Sequence, residues 1–254
     1  MNSTASTEGK TEVSDQKKKK KRRLLLLLLL LVSGCGITWF FMEGGGMIIF
    51  GMPKEGSIDY DVSYPDIDEK NDMMAAGLPD QAVYRFKGNK TVTHLSGMMG
   101  LIAMDYIADE TTKTAIQTLV LFQNKYVAYL DEPLVKKVNS GYVKEVKLVP
   151  GEKKKIAGFN CLKAVALLES GKEVDVWYTK EIGTPGTNWS NPYYKIDGVL
   201  IEFEIEKYGI TMKLTAKSFS KDKVKDEDFT VPSDYKKMPI EEIENIIKTL
   251  NPVK

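Results

Sequence analysis

Val199-Leu200-Ile201-Glu202-Phe203-Glu204-Ile205-Glu206, then Lys207-Tyr208-Gly209, then Ile210-Thr211-Met212-Lys213-Leu214-Thr215-Ala216-Lys217 is the stretch that decides the fold. Both runs alternate with a period of two, the mark of a strand with one buried and one wet face. Val199, Ile201, Phe203 and Ile205 form one row, and Glu202, Glu204 and Glu206 the other. The second run sets Ile210, Met212, Leu214 and Ala216 against Thr211, Lys213, Thr215 and Lys217. The short glycine-containing break predicts a hairpin, in which the Glu and Lys rows pair across strands and fix the register. One face of the pair is solvated; the other needs a cover.

The same pattern recurs along the chain. Ser57–Tyr64 alternates Ile58, Tyr60, Val62 and Tyr64 with polar residues. Ala82–Phe86 and Thr91–Leu95 flank Gly88-Asn89, and Leu101–Ile107 ends near Asp109-Glu110. Thr114–Phe122 and Tyr126–Leu130 flank Gln123-Asn124-Lys125, and Phe159–Leu167 and Glu173–Thr179 flank a turn at Glu169–Lys172. Successive strands with short turns predict a large antiparallel meander, not βαβ units.

Helices are few. After Pro239, the spacing of Ile240, Ile243, Ile246, Ile247 and Leu250 predicts an amphipathic C-terminal helix with Glu241 and Glu242 in its first turn. Pro133–Asn139, ended by Ser140-Gly141, predicts a short second helix, and Asp66–Ala76, with Met73 and Met74, is a weaker third candidate. The expected class is mainly β (α+β): a curved antiparallel sheet, or half-open β-barrel, with one or two helices over its apolar concavity.

Ahead of this domain, seven basic residues, Lys17–Arg23, run into nineteen uncharged ones, Leu24–Met42. Nineteen helical residues span about 28 Å, close to the thickness of a bilayer's hydrocarbon core. Eight leucines (Leu24–Leu31) favour insertion, and Trp39, Phe40 and Phe41 suit the interface. The positive-inside rule keeps residues 1–23 cytoplasmic and the C-terminus outside. The domains expected are a basic tail (1–23), a transmembrane anchor (24–42), a glycine-rich tether (43–55) and an extracytoplasmic β domain (56–254). Localisation follows as a single-pass inner-membrane protein, N-terminus in, with its domain in the periplasm. A second reading stays open: Val32-Ser33-Gly34-Cys35 is similar to a bacterial lipobox, which implies cleavage and lipidation at Cys35.

The chain nets +1, but its first 23 residues net +5, so the remainder nets −4. No basic face for nucleic acid is apparent in the outer domain. Cys35 and Cys161 are too differently placed to pair, and a single histidine leaves no usual zinc or copper constellation, so no metal or cofactor is expected. Asn89-Lys90-Thr91 and Asn188-Trp189-Ser190 match glycosylation acceptors, a pattern near chance in a bacterial envelope protein.

Ile156-Ala157-Gly158-Phe159-Asn160-Cys161-Leu162-Lys163-Ala164, then Val176-Trp177-Tyr178-Thr179, Gly198–Glu202 and the closing Phe229-Thr230-Val231-Pro232-Ser233-Asp234-Tyr235 form a recognisable series. It resembles uncharacterised Gram-negative envelope proteins carrying a domain of unknown function related to the GLPGLI group, over roughly Gly56–Tyr235. The resemblance implies a fold similar to the lipoprotein carriers LolA and LolB, an unclosed barrel with a lid over an apolar cavity. It carries no activity, and only structural positions transfer: Gly158, Cys161, Trp177, Tyr178, Thr179 and Pro232.

Candidate site residues are accordingly ligand-binding, not catalytic. Trp177, with Glu173, Asp175 and Thr179, falls on the wetter side of its strand, where an aromatic serves as a ligand platform or covers a loop; Tyr178 joins Val174 and Val176 on the apolar side. Met98, Met99 and Met104 gather around the Gly97–Gly100 break, and methionine surfaces adapt to varied apolar ligands. Cys161 reads as a small buried hydrophobe and His94 as structural. The acids of Asp105-Asp109-Glu110 and Asp226-Glu227-Asp228 read as solvated turns; glycoside hydrolysis requires a set separation across a cleft. No enzyme is expected. The function expected is a membrane-anchored envelope protein holding a lipid, a lipoprotein acyl chain or another apolar ligand; the alternatives are a structural or interaction protein with a self-filled core and, last, a hydrolase.

Overall fold

The computed structural model describes residues 52–67, 77–207 and 209–249. The basic block, the Leu24–Met42 anchor with Cys35, the tether up to Gly51 and most of the Asp66–Ala76 helix candidate, with Met73 and Met74, lie outside the described residues. Among the described residues no helix is long and apolar enough to cross a membrane.

The strands are β1 (Glu55–Ser63), β2 (Gln81–Lys87), β3 (Lys90–Gly97), β4 (Ile102–Asp109), β5 (Thr114–Leu121) and β6 (Asn124–Leu130). They continue as β7 (Val143–Ile156), β8 (Phe159–Leu168), β9 (Glu173–Thr179), β10 (Val199–Lys207), β11 (Ile210–Ser220) and β12 (Lys236–Lys237). Two α-helices, α1 (Glu132–Asn139) and α2 (Ile240–Thr249), and short 3-10 turns at Met98–Gly100 and Asp226–Phe229 complete the regular elements among the described residues. All twelve strands form one open sheet in the order β12-β6-β5-β4-β3-β2-β1-β11-β10-β9-β8-β7. The meander β1–β6 runs outward one way, β7–β11 returns from the far edge, and β11 closes on β1.

The predicted hairpin forms in register: Phe203 faces Leu214, Glu204 faces Lys213 and Ile205 faces Met212. The Glu row also draws lysines from farther off, Lys154 to Glu202 at 3.2 Å and Lys172 to Glu204 at 2.7 Å. Two expectations need correction. The sheet is mixed: β12 pairs with the edge strand β6 in parallel, because the chain comes back along that edge before entering α2. The simple alternation of β10 also fails at its start. Leu200 pairs with Tyr178 and Glu202 with Trp177, so Ile201 is the extra residue of a bulge. From Phe203 onward the alternation resumes and continues through Ile205 to Lys207.

The connection at α1 requires the sheet to curl. Strands β6 and β7 stand ten places apart in the order, about 48 Å in a flat sheet at ~4.8 Å per strand. Only residues 131–142 join them, and eight of these are helical. Helix rise and extended chain together reach no more than about 30 Å. The two flanks must therefore bend toward each other. Asp131 caps α1 by accepting from the Leu134 amide at 3.0 Å, and Pro133 suits its first turn.

Two covers lie on the inside of the curl. Helix α2 buries Ile240, Ile243 and Ile247 against Ala115, Leu119, Ala128 and Leu130. The second cover is the 180–198 segment between β9 and β10, whose Tyr193 and Ile196 pack on Ala164, Val176 and Leu200. Outside the curl, Val224 and Phe229 cap Val92 and Ile107, as the chain passes from β11 round to β12.

Candidate functional site: an apolar concavity with an open mouth

The 180–198 segment is held to the opposite flank by a series of polar contacts. The hydroxyls of Tyr84 (β2) and Thr187 share a hydrogen bond of 2.7 Å. The Ser190 carbonyl accepts from the Tyr106 hydroxyl (β4) at 3.0 Å and from Asn139 Nδ2 (α1) at 2.8 Å. Lys113 lies over the Trp189 ring, 5.1 Å from its centroid. Within the segment, buried Asn188 donates through Nδ2 to the carbonyls of Ile196 at 2.8 Å and Gly198 at 2.7 Å, and accepts from Asn191 Nδ2 at 3.0 Å. This asparagine of the Asn-Trp-Ser triplet is therefore an internal latch, its amide nitrogen spent on backbone carbonyls; the acceptor reading does not hold there.

Beneath the segment is a cavity of about 170 Å³, bounded by Tyr60, Tyr84, Tyr106 and Phe203 from the sheet and by Asn188 and Tyr193 from above. Its tyrosine hydroxyls are engaged. Tyr60 donates to the Leu200 carbonyl and Tyr193 to the Glu204 carbonyl, and burial pushes the Tyr84 and Tyr106 hydroxyls up to about 12. A second, larger cavity of about 660 Å³ opens beside it, within the ~300–1,000 Å³ of small-molecule sites. Leu95, Met104, Lys207 and Met212 line both.

The larger cavity is almost wholly apolar, with Leu119, Ile210 and Ile247 on its walls. Its lining includes Met98, Met99, Leu101 and Phe122, which are four of the seven exposed large apolar side chains among the described residues. Met99 is fully exposed, and Met98, Met99 and Phe122 hold positive φ of 48°, 55° and 56°. Such backbone costs an L-residue roughly 1–2 kcal/mol, and strain of this kind concentrates at ligand clamps and switches. Exposed, strained apolar residues gathered at one opening are what a binding mouth requires and a sealed core does not.

Lys207 is the only charged residue among the described ones lining either cavity. Its ammonium sits 5.6 Å from the Tyr106 ring centroid. Burial lowers its pKa to about 8, partly countered by Glu244 on α2. The sequence reading placed it in a turn; continuing the Phe203, Ile205 alternation by one more step would have set it on the apolar face.

The structure separates the five predicted ligand positions. Met98, Met99 and Met104 come together at the larger cavity. Tyr178 instead packs among Val174, Val176 and Tyr193, beneath the covering segment. Trp177, placed by alternation on the wetter side, is 9% exposed and belongs to the main core with Cys161 and Ile201. Lys154 and Lys163 close over its ring, at 5.5 and 5.7 Å. Cys161 is fully buried, and desolvation pushes its thiol up to about 11, so it is protonated near neutrality and a poor nucleophile.

The remaining polar candidates are committed to structure. His94 Nδ1 pairs with Asp105 at 2.7 Å, and Thr118 also donates to Asp105. Asp109 accepts from the Thr111 amide in the β4–β5 turn, Glu110 pairs with Lys113, and Asp226 pairs with Lys87 at 2.7 Å. No family model matches this chain, and no curated protein matches it.

Proposed function

We propose that this chain is a membrane-anchored envelope protein, non-enzymatic, whose outer domain holds a lipid or another apolar ligand in the concave face of its sheet. The observation that carries the reading is the larger cavity, apolar along its walls but for Lys207 and ringed at its opening by Met98, Met99, Leu101 and Phe122. A curled open sheet with a helix and a long segment across its inside supports the LolA-like architecture implied by the sequence resemblance. The basic block and leucine run support an anchor with its domain in the periplasm, where a short tether suits a fixed receptor better than a free shuttle.

The self-filled alternative describes one flank well. Over β8–β10 the concavity is occupied by the chain's own Tyr193 and Ile196. It does not account for the exposed rim on the other flank. Filling the cavity from within separates the two readings. Met212→Trp adds bulk where the cavities adjoin and should cut the affinity of a neutral apolar dye, Nile red, at least about tenfold, or about 1.4 kcal/mol. The wild-type protein is expected to bind the dye saturably near one equivalent. Equal weak, non-saturating partition into both proteins would instead favour the self-filled core.

A further inference from the structure

The geometry points to an amphiphile with an uncharged head of the monoacylglycerol class, its head against Gln117 in the smaller cavity and its chain in the larger one. This rests on the apolar-ligand reading above and goes on to specify the ligand. Gln117 is 5% exposed and lines the smaller cavity. Among the described residues its side-chain amide has no hydrogen-bond partner. The polar groups around it are committed: Tyr84 to Thr187, Tyr106 and Asn139 to the Ser190 carbonyl, and Asn188 to the Ile196 and Gly198 carbonyls. An unpaired buried amide is costly, and such groups in folded proteins nearly always have a partner. Gln117 presents both donors and an acceptor, so its partner must supply both in return. A hydroxyl beside an ester carbonyl does so.

Strand register shows which way the chain lies. Tyr84 faces Thr93, Thr93 faces Tyr106 and Tyr106 faces Gln117, so one cross-strand row over β2–β5 is polar. Two residues along each strand, the same face turns apolar at Leu95, Met104 and Leu119, which line the larger cavity. Phe122 at the rim is five residues from Gln117, no more than about 17 Å of chain at ~3.4 Å per residue. The polar row is thus one end of an apolar run and the rim is the other, the lengthwise order of an amphiphile. At ~30 Å³ of liquid per water, the smaller cavity's volume of about 170 Å³ is that of about five waters, enough for a glyceryl head.

The charge balance favours a neutral head. A carboxylate or phosphate buried here would need a spare positive charge. Lys207 is engaged within the chain, its ammonium near the Tyr106 ring and its charge countered by Glu244 on α2. No other charged residue among the described ones lines either cavity. Burying an unpaired charge costs far more than burying a hydroxyl or an ester that finds a hydrogen-bond partner.

The test uses full-length protein in nanodiscs of zwitterionic lipid, with three probes of equal chain length carrying a diazirine near the chain end. The probes are monopalmitoylglycerol, palmitic acid and hexadecane. The monoacylglycerol is expected to label peptides bearing Met98, Met99 or Phe122 about tenfold more strongly than the acid. Gln117→Leu removes the amide at nearly the same size. It should lower monoacylglycerol labelling about tenfold and leave hexadecane labelling intact. Its urea midpoint should not fall, because no hydrogen bond within the protein is lost. Equal monoacylglycerol labelling of wild type and Gln117→Leu, with hexadecane also captured, overturns the head assignment and leaves the apolar cavity standing. Acid labelling equal to the monoacylglycerol's overturns the neutral head. A Gln117→Leu protein with a lowered midpoint and no hexadecane labelling would make Gln117 a structural residue and overturn its role in binding. No cavity labelling of wild type by any probe overturns the apolar-ligand reading as well.

Discussion

Asn188→Ala should destabilise the folded protein by about 3 kcal/mol, because it removes both donors that satisfy two carbonyls of the covering segment. The side chain is 4% exposed, and the Ile196 and Gly198 carbonyls it serves lie at 2.8 and 2.7 Å. Stranding a buried polar group costs roughly 1–3 kcal/mol, so two stranded together outweigh the small loss of side-chain packing. Asn191 loses its partner as well. Asn188→Asp is the informative companion, since it keeps the shape yet turns the two donors into acceptors facing carbonyls. It should cost at least as much as the alanine. Urea unfolding followed by tryptophan fluorescence measures both. A change below about 1 kcal/mol for either would mean that the latch does not hold the segment in place.

Gly198→Ala should be more damaging still, by upwards of about 3 kcal/mol, through steric conflict and not through lost hydrogen bonds. A methyl group there would lie 2.6 Å from the Thr179 carbonyl oxygen and 2.8 Å from the Tyr178 ring, on a residue whose φ is +148°. The nearest obstacle is backbone, so no side-chain rotation relieves it. Gly88→Ala isolates the backbone contribution: its φ is +56°, with nothing within 4 Å of the added carbon. That variant should cost only about 1 kcal/mol. Circular-dichroism melts of the pair should therefore differ widely, and similar melting temperatures would contradict the close packing of β9 against the entry to β10.

Both predictions concern the part of the fold that was least legible. Strands with one wet face declare themselves by alternation, and those flanking Gly88-Asn89 and Lys207-Tyr208-Gly209 were readable from the chain alone. Strand β7 was not: it is the last strand of the sheet among the described residues, most of its residues are exposed, and Pro150 and Gly151 fall within a register irregularity. An edge strand of this kind is protected by lysines and a bulge, and those features erase the periodicity by which strands are recognised. The 180–198 cover has no periodicity at all. Its partners are distant in sequence, Tyr84 being 103 residues from Thr187, so only the closed fold brings them together.

The site was legible in a comparable way. Met98, Met99 and Met104 could be suspected because methionines clustered around a glycine break, which proved to be the strained rim. Phe122 read as the last residue of a strand; its positive φ, which turns it outward into the mouth, is a property of the β5–β6 turn. Trp177 misled because alternation assigns a side chain to a face and not the cover over that face: Lys154 and Lys163 close over its ring, and Ile201, the extra residue of the β10 bulge, belongs to the same core cluster. Lys207 was hidden by the opposite assumption, that a charged residue beside a glycine belongs to the turn.

The central claim is that the larger cavity holds a ligand, and native mass spectrometry of the full-length protein extracted in mild detergent tests it most directly. The account predicts a discrete adduct of lipid or fatty-acid mass at near one equivalent, absent from Met212→Trp prepared in the same way. A wild-type protein carrying no discrete adduct, or one carrying the same adduct as the filled variant, would contradict it.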